Sequence, residues 1–168
     1  VPDLPPGNEE LRRQIVLRYL SRGAVVPTDE VVITSGAMEG LNLCLQAVTA
    51  PGDLIAIESP TFYAGLQASE RLGLKVIEIP SHPREGISLT ALEEALRLHP
   101  ITACLFILNF ANPTGALVSD ERKKNLIDLL RRHDVPLIED DVYGELYFGA
   151  QAPLCSKAEA NNDHVMHV

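Results

Sequence analysis

Apolar residues along the chain fall into two alternating patterns. Short, nearly unbroken apolar runs occur at Leu54-Ile55-Ala56-Ile57, at residues 75–79 and 103–108, and at Pro136-Leu137-Ile138. Runs of that length read as strands buried on both faces, the habit of parallel sheets. Val31-Val32-Ile33-Thr34 and Val165-Met166-His167-Val168 are two further strand candidates. Between these runs lie segments whose apolar residues recur at helical spacing. The first opens at Gly7-Asn8-Glu9-Glu10, carries Leu11, Ile15 and Leu20, and ends near Gly23. Others cover residues 38–48, closed by Pro51-Gly52, and a stretch reaching Leu72. Thr90-Ala91-Leu92-Glu93 fits a capping box for a helix to Leu98, and Ser119 caps one that runs to about His133. Ser81-His82-Pro83-Arg84-Glu85-Gly86 reads as a surface loop, and a short stretch after Lys157 shows no clear pattern.

Strands alternating with helices predict βαβ units, hence a mainly parallel sheet with helices on both faces. The expected fold is α/β, a three-layer αβα arrangement. At 168 residues the chain is long enough for one domain with a real core. There is no internal repeat, low-complexity tract or evident linker.

Composition changes this picture little, but charge narrows it. The net charge of −9 disfavours direct contact with nucleic acid or an anionic membrane. No apolar run approaches the ~20 residues of a membrane span, and no signal-peptide pattern opens the chain. Cys44, Cys104 and Cys155 lack metal-ligand spacing, and Cys44 and Cys104 sit in apolar runs. Buried reduced thiols in a cytoplasmic protein are the expectation. The histidines, including His164 and His167, are scattered, and no metal site is expected of them; the basic run Arg122-Lys123-Lys124 reads as a solvated face. The chain opens without methionine and stops at an apparent strand, so it is expected to be a fragment.

Candidate chemistry lies where strands end, since ligands in open α/β sheets bind at the carboxyl edge. Ser35-Gly36-Ala37 is a small-residue turn entering a helix. Its free amides suit a phosphate, although an ordinary strand-to-helix turn looks the same. Asn112-Pro113-Thr114-Gly115 closes a turn that either projects the Asn112 amide or is a plain Asn-Pro turn. Glu139-Asp140-Asp141 ends the acidic strand, with Tyr143 three residues after Asp140. The three carboxylates could hold Mg²⁺, form a solvated rim, or supply one partner for a cationic heterocycle. A phosphate cradle, an Asn donor, an Asp and a Tyr together describe a pyridoxal phosphate site, in which the Asp keeps the pyridine nitrogen protonated.

Leu4-Pro5-Pro6-Gly7, Val32-Ile33-Thr34-Ser35-Gly36-Ala37, Asn112-Pro113-Thr114-Gly115 and Ile138-Glu139-Asp140-Asp141-Val142-Tyr143 resemble, in order, the motifs of fold-type-I, class I/II aminotransferases. More narrowly, the chain resembles the aminotransferase-like domain of MocR-type regulators of the GntR family. The resemblance implies that residues 1–168 are part of the large, pyridoxal-5'-phosphate-binding domain. Ser35, Gly36 and Ala37 would bind the cofactor phosphate, and Phe62 would stack on the ring, with Tyr63 as the other choice. Asn112 and Tyr143 would hydrogen-bond the 3'-oxygen, and Asp140 would pair with the ring nitrogen.

By the same resemblance the Schiff-base lysine, the small C-terminal domain and an N-terminal DNA-binding domain lie outside these residues. Lys157 precedes the last strand rather than following it, and is not expected to be that lysine. The chain alone is therefore expected not to transaminate. The expected function is that of a transcriptional regulator carrying a cofactor-binding aminotransferase-like domain. It would be a homodimer when intact, would bind a small amino compound, and would reach DNA only through the missing domain. The alternative is a stand-alone aminotransferase moving an amino group between an amino acid and a 2-oxo acid.

Overall fold

The computed structural model describes residues 4–159 and 164–168, so the end of the patternless stretch after Lys157 lies outside the described residues. Its strands are β1 (Leu54–Ser59), β2 (Lys75–His82), β3 (Gly86–Ile87), β4 (Ile101–Phe106), β5 (Leu137–Glu139) and β6 (Val165–His167). They form a 6-stranded sheet in the order β3-β2-β1-β4-β5-β6. Every pairing is parallel except the antiparallel hairpin of β2 and β3. The helices are α1 (Glu9–Ser21), α2 (Ala37–Val48), α3 (Tyr63–Arg71), α4 (Leu89–Leu98), α5 (Asp120–His133) and the short α6 (Ser156–Glu159).

Side chains alternate across each strand, so every strand feeds two cores. Ala56, Cys104, Phe106 and Leu137 pack with Leu92, Leu96, Leu126 and Leu130 of α4 and α5. Ile55, Ile57, Ala103, Leu105 and Ile138 pack with Leu41, Leu45 and Ala68 of α2 and α3 on the opposite face. Burial on both faces is the reason these strands read as continuous apolar runs, and it yields the expected three layers.

Three local expectations are corrected. The loop proposed at residues 81–86 is the end of β2, a turn and β3. Half of β2's residues are exposed, which hid its length. The capping oxygen of α4 belongs to Ser88, which accepts from the Ala91 amide at 3.3 Å; Thr90 already lies in the first turn. Residues 31–34 form no strand: Thr28–Glu30 is a 3₁₀ turn, Val31 is extended after it, and the Ile33 amide donates to the Pro6 carbonyl at 2.9 Å. Extended backbone becomes sheet only beside a partner, and no described strand lies next to it.

Between residues 31–34 and the free edge of β6 lies instead an apolar cavity of about 990 Å³, with Val31, Ile33, Met166 and Val168 among its walls. α1 opens where expected and is capped by Asn8, whose Oδ1 accepts from the Leu11 amide at 2.9 Å. Its apolar stripe is not covered, however: Leu11 and Leu20 are exposed, and only Ile15, Val16 and Tyr19 pack on Val26, Val31 and Cys155. Among the described residues no helix is long and apolar enough to cross a membrane.

The connectivity marks one place on this sheet. β1 leads through α3 to β2 on one side, whereas β4 returns to the other side of β1. Strand order reverses there, and the carboxyl ends of β1, β4, β5 and β6 share an edge because these strands are parallel. Crevices at such reversals are the ligand sites of open α/β sheets.

Candidate functional site

Asp140 leaves β5 at that edge. Its amide donates to the Phe106 carbonyl at 3.0 Å, on the β4 side, and the amide of Asp141 donates to the Val168 carbonyl at 2.9 Å, on the β6 side. The backbone is thus still strand-like, so Glu139 and Asp141 share one face and Asp140 points to the other. This separation argues against one Mg²⁺ held by all three carboxylates. Asp140 Oδ1 is buried and has no hydrogen-bond partner. Burial pushes its carboxyl up, the Val142 amide acts against this, and the charge of Asp141 adds to it.

Asn112 and Tyr143 come together from opposite ends of the α5 crossover. Beyond β4 the chain runs through buried Ile107, Leu108 and Asn109 into a turn closed by Gly115 N donating to the Ala111 carbonyl at 2.6 Å. That turn presents Asn112 Nδ2, which donates to Tyr143 Oη at 3.1 Å. Phe62, in extended conformation ahead of α3, packs with Tyr143 on Ile107, Ala111 and Ala116. Tyr63 is exposed and only touches the Phe62 ring edge-on, at 4.8 Å between centroids. Phe62, Asn112 and Tyr143 therefore form one cluster, and Tyr63 stands outside it.

Ser35, Gly36 and Ala37 form the mouth of α2, with Gly36 as the capping residue at φ 104°. The Ser35 amide donates to the Glu39 carboxylate, so an anion already occupies the helix mouth. A Cβ on Gly40, one turn further on, would lie 3.1 Å from Val168 Cγ1. Since Val168 receives the Asp141 amide, α2 abuts the ends of β6 and β5. Lys157 is elsewhere: its Nζ donates to the Val165 carbonyl at 3.2 Å and pairs with Glu30 at 3.5 Å.

Behind the edge lies a buried polar web that sequence reasoning missed. Asp141 Oδ1 accepts from Asn109 Nδ2 at 2.7 Å; Oδ2 accepts from Arg22 Nη2 at 2.9 Å and His167 Nε2 at 3.2 Å. Burial alone would push this carboxyl up, but His167, Asn109 and Arg22 outweigh it and hold Asp141 below the usual carboxylate range. Lys123 Nζ donates to Asn109 Oδ1 at 2.7 Å and the Leu154 carbonyl at 2.6 Å. The expectation of a solvated Lys123 is thereby corrected: its side chain is fully buried. A signal was available, since 123, 126, 127 and 130 follow the spacing of a buried helical stripe, and the last three positions are core leucines and an isoleucine.

His167 is likewise not a surface histidine. It joins Glu139 and Asp141 in a cluster whose ligand atoms lie within 4.8 Å of one another. Most of those atoms already have protein partners: Ser156 N donates to Glu139 Oε2 at 2.8 Å, and Tyr19 Oη lies 2.6 Å from His167 Nδ1. The cluster is therefore an internal hydrogen-bond web. Gly144 is required beside it, because a Cβ there would overlap the Asp141 carboxylate.

Glu58, at the carboxyl end of β1, is a further buried acid that sequence reasoning passed over. Ile107 N donates to its two oxygens at 3.1 and 3.0 Å, and Thr61 Oγ1 donates at 3.2 Å. Burial nevertheless pushes it from 4.5 to about 8, with the nearby Asp140 charge adding to the effect. A carboxyl whose folded pKa is raised contributes stability below its unfolded pKa and loses it as pH rises to the folded one. Against Glu58→Gln, the unmodified chain should lose stability between pH 5 and 8, at up to ~1.4 kcal/mol per pH unit. Urea unfolding of both proteins across that range measures it, and a constant difference would show that Glu58 ionises in the fold as it does in water.

Residues 4–167 match the family model of aminotransferase class I and II. The uncharacterized HTH-type transcriptional regulator YdcR of Escherichia coli (strain K12) is 50% identical over 167 residues, which cover 99% of this chain and 36% of the regulator. Among solved structures, an archaeal alanine:glyoxylate aminotransferase superposes with TM-score 0.91 at 26% identity, over 99% of this chain and 42% of that one. LysN, an alpha-aminoadipate aminotransferase of Thermus thermophilus complexed with N-(5'-phosphopyridoxyl)-L-leucine, superposes with TM-score 0.86 at 30% identity, over 99% and 42%. The chain spans about a third of the length of the curated relatives it matches.

Proposed function

The chain belongs to the class I and II aminotransferase family, and from that membership we propose that it is the cofactor-binding part of a helix-turn-helix transcriptional regulator that holds pyridoxal 5'-phosphate. The observation that carries the cofactor is Asp140 Oδ1, a buried carboxylate oxygen without a partner at the carboxyl edge of β5, the strand next to the reversal between β1 and β4. A buried acceptor of this kind is costly unless a donor completes it, and a protonated ring nitrogen is such a donor.

The other residues at the edge fit the same group. Asn112 Nδ2 and Tyr143 Oη, 3.1 Å apart, can both donate to one phenolate oxygen. Phe62 packs on the same small cluster and offers a ring to stack against. The amides of Ser35, Gly36 and Ala37, with the dipole of α2, would take the phosphate in exchange for the Glu39 carboxylate. When bound, the cofactor supplies an electron-withdrawing pyridinium ring. The protein's part is to keep the ring nitrogen's proton beside Asp140 and to orient the ring with Asn112, Tyr143 and Phe62.

On this reading residues 1–168 are part of the large domain. The cofactor's lysine, a small C-terminal domain and an N-terminal DNA-binding domain belong to other parts of the intact protein, which works as a homodimer and senses a small amino compound. The net charge of −9 supports DNA contact through another domain rather than this one. A catalytic aminotransferase is the second reading, favoured by the 30% identity to LysN but outweighed by the 50% identity to YdcR.

The test uses the intact protein. Pyridoxal phosphate should bind saturably with a Kd below about 100 μM, and an amino compound that reacts with it should change affinity for the protein's own promoter by about tenfold. Absence of saturable cofactor binding sinks the reading; transamination without DNA binding hands it to the enzyme.

A further inference from the structure

We propose that Tyr19, Arg22 and His167 are positioning residues, which clamp the Asp141 carboxylate and so fix the strand end that aims Asp140. The proposal rests on Asp140 facing the cofactor's ring nitrogen. β5 ends at Glu139; beyond it the Asp140 amide donates to β4, the Asp141 amide donates to the chain after β6, and the Asp141 carbonyl accepts from the Gly144 amide at 3.0 Å. The amides of Asp140 and Asp141 are therefore held from opposite neighbours. Asp141 adds the firmer side-chain anchor, since the Asp140 carboxylate has only the Val142 amide and leaves Oδ1 without a partner, while both Asp141 oxygens are engaged.

The clamp has an inner and an outer layer. Arg22 Nη2 and His167 Nε2 reach Asp141 Oδ2 directly. The Asp141 carboxylate accepts from His167 Nε2–H, and with the imidazole neutral its Nδ1 accepts a hydrogen bond from the Tyr19 hydroxyl. Tyr19 suits this role: burial pushes its hydroxyl up, which keeps it a donor. Its ring also meets the imidazole edge-on, with centroids 5.3 Å apart. Tyr19 and Arg22 belong to α1 and its cap, and no α1 side chain is fully buried. The polar grip is therefore one of the few ties between that helix end and the sheet. Lys123 and Glu139 complete the charges around Asp141, from α5 and β5.

The intact protein, its His167→Phe, His167→Gln and Tyr19→Phe variants, and Asp140→Asn are titrated with pyridoxal phosphate. Cofactor Kd, the absorption band of bound cofactor and the melting temperature without cofactor are read for each. His167→Phe should raise Kd about tenfold and shift the band, Tyr19→Phe should raise Kd about threefold, and His167→Gln, whose amide can still donate to Asp141, should return Kd to within about threefold. Unchanged Kd and band in a folded His167→Phe overturn the proposal. So does equal weakening in the Phe and Gln variants, in step with melting temperature, because that marks a purely structural role. Should His167→Phe not fold, Tyr19→Phe decides by the same readings. If Asp140→Asn weakens binding and the clamp variants do not, only the positioning role fails; if Asp140→Asn binds normally, the cofactor reading fails and takes the proposal with it.

Discussion

Asp140→Asn is expected to weaken pyridoxal phosphate binding by about a hundredfold while leaving the cofactor-free protein as stable as before, or more so. The two effects have one cause. In the free protein Asp140 Oδ1 is buried and unpartnered, and burial pushes the carboxyl up because the charged form is poorly accommodated. A neutral amide of the same shape removes that cost. With cofactor bound, the same charge would accept a proton-sharing hydrogen bond from the ring nitrogen, and such a charge-assisted bond is worth ~3 kcal/mol, about two decades in Kd. Fluorescence titration and calorimetry on the intact protein measure the pair of effects. Equal Kd for both proteins would mean that Asp140 does not face the ring nitrogen.

Lys123→Met should be the most damaging single change to the fold itself, costing ~3–5 kcal/mol and lowering the melting temperature by about 10 °C. Methionine replaces the apolar stem but not the ammonium group. Asn109 Oδ1 and the Leu154 carbonyl would then be left buried without their donor, and Glu139 and Asp141 would lose a neighbouring cation. Lys124 is the control: it pairs with Asp128 at 3.7 Å on an exposed face, and Lys124→Met should change stability by no more than ~0.5 kcal/mol. Denaturant unfolding of both variants separates the cases, and similar losses would mean that burial of Lys123 carries no special weight.

The fold is largely legible in the sequence because its signals are local. The strands β1, β4 and β5 are apolar runs, α5 begins after a serine that accepts from the Arg122 amide, and α1 begins after an asparagine that accepts from Leu11. The failures were equally physical. Val31 to Thr34 has strand-forming residues, but strand identity needs a neighbour, and here an apolar cavity lies where one would be. The β2–β3 hairpin is partly exposed, so it lacked the uniform burial that marked the other strands. Of the candidate site, Asn112 was singled out by turn chemistry and the carboxylates and Tyr143 by their place at a strand end; the choice of Asp140 over Asp141 came from the resemblance, as did Phe62, whose packing sets it apart from exposed Tyr63.

The chain's own order of residues determined the alternation of strand and helix, the small-residue turn at Ser35 and the placing of carboxylates at a strand end. Those features depend on periods of 2 and 3.6 residues and on turn preferences, which any short window reveals. Tertiary structure alone decided that Asp140 stands apart from Glu139 and Asp141, that His167 is interior, what partners the buried Lys123 finds, and that Tyr19 meets a histidine 148 residues away. The physical reason is that a buried polar group takes whatever partner the crossovers bring beside it, and in this sheet those partners arrive from α1, β4, α5 and β6 at once.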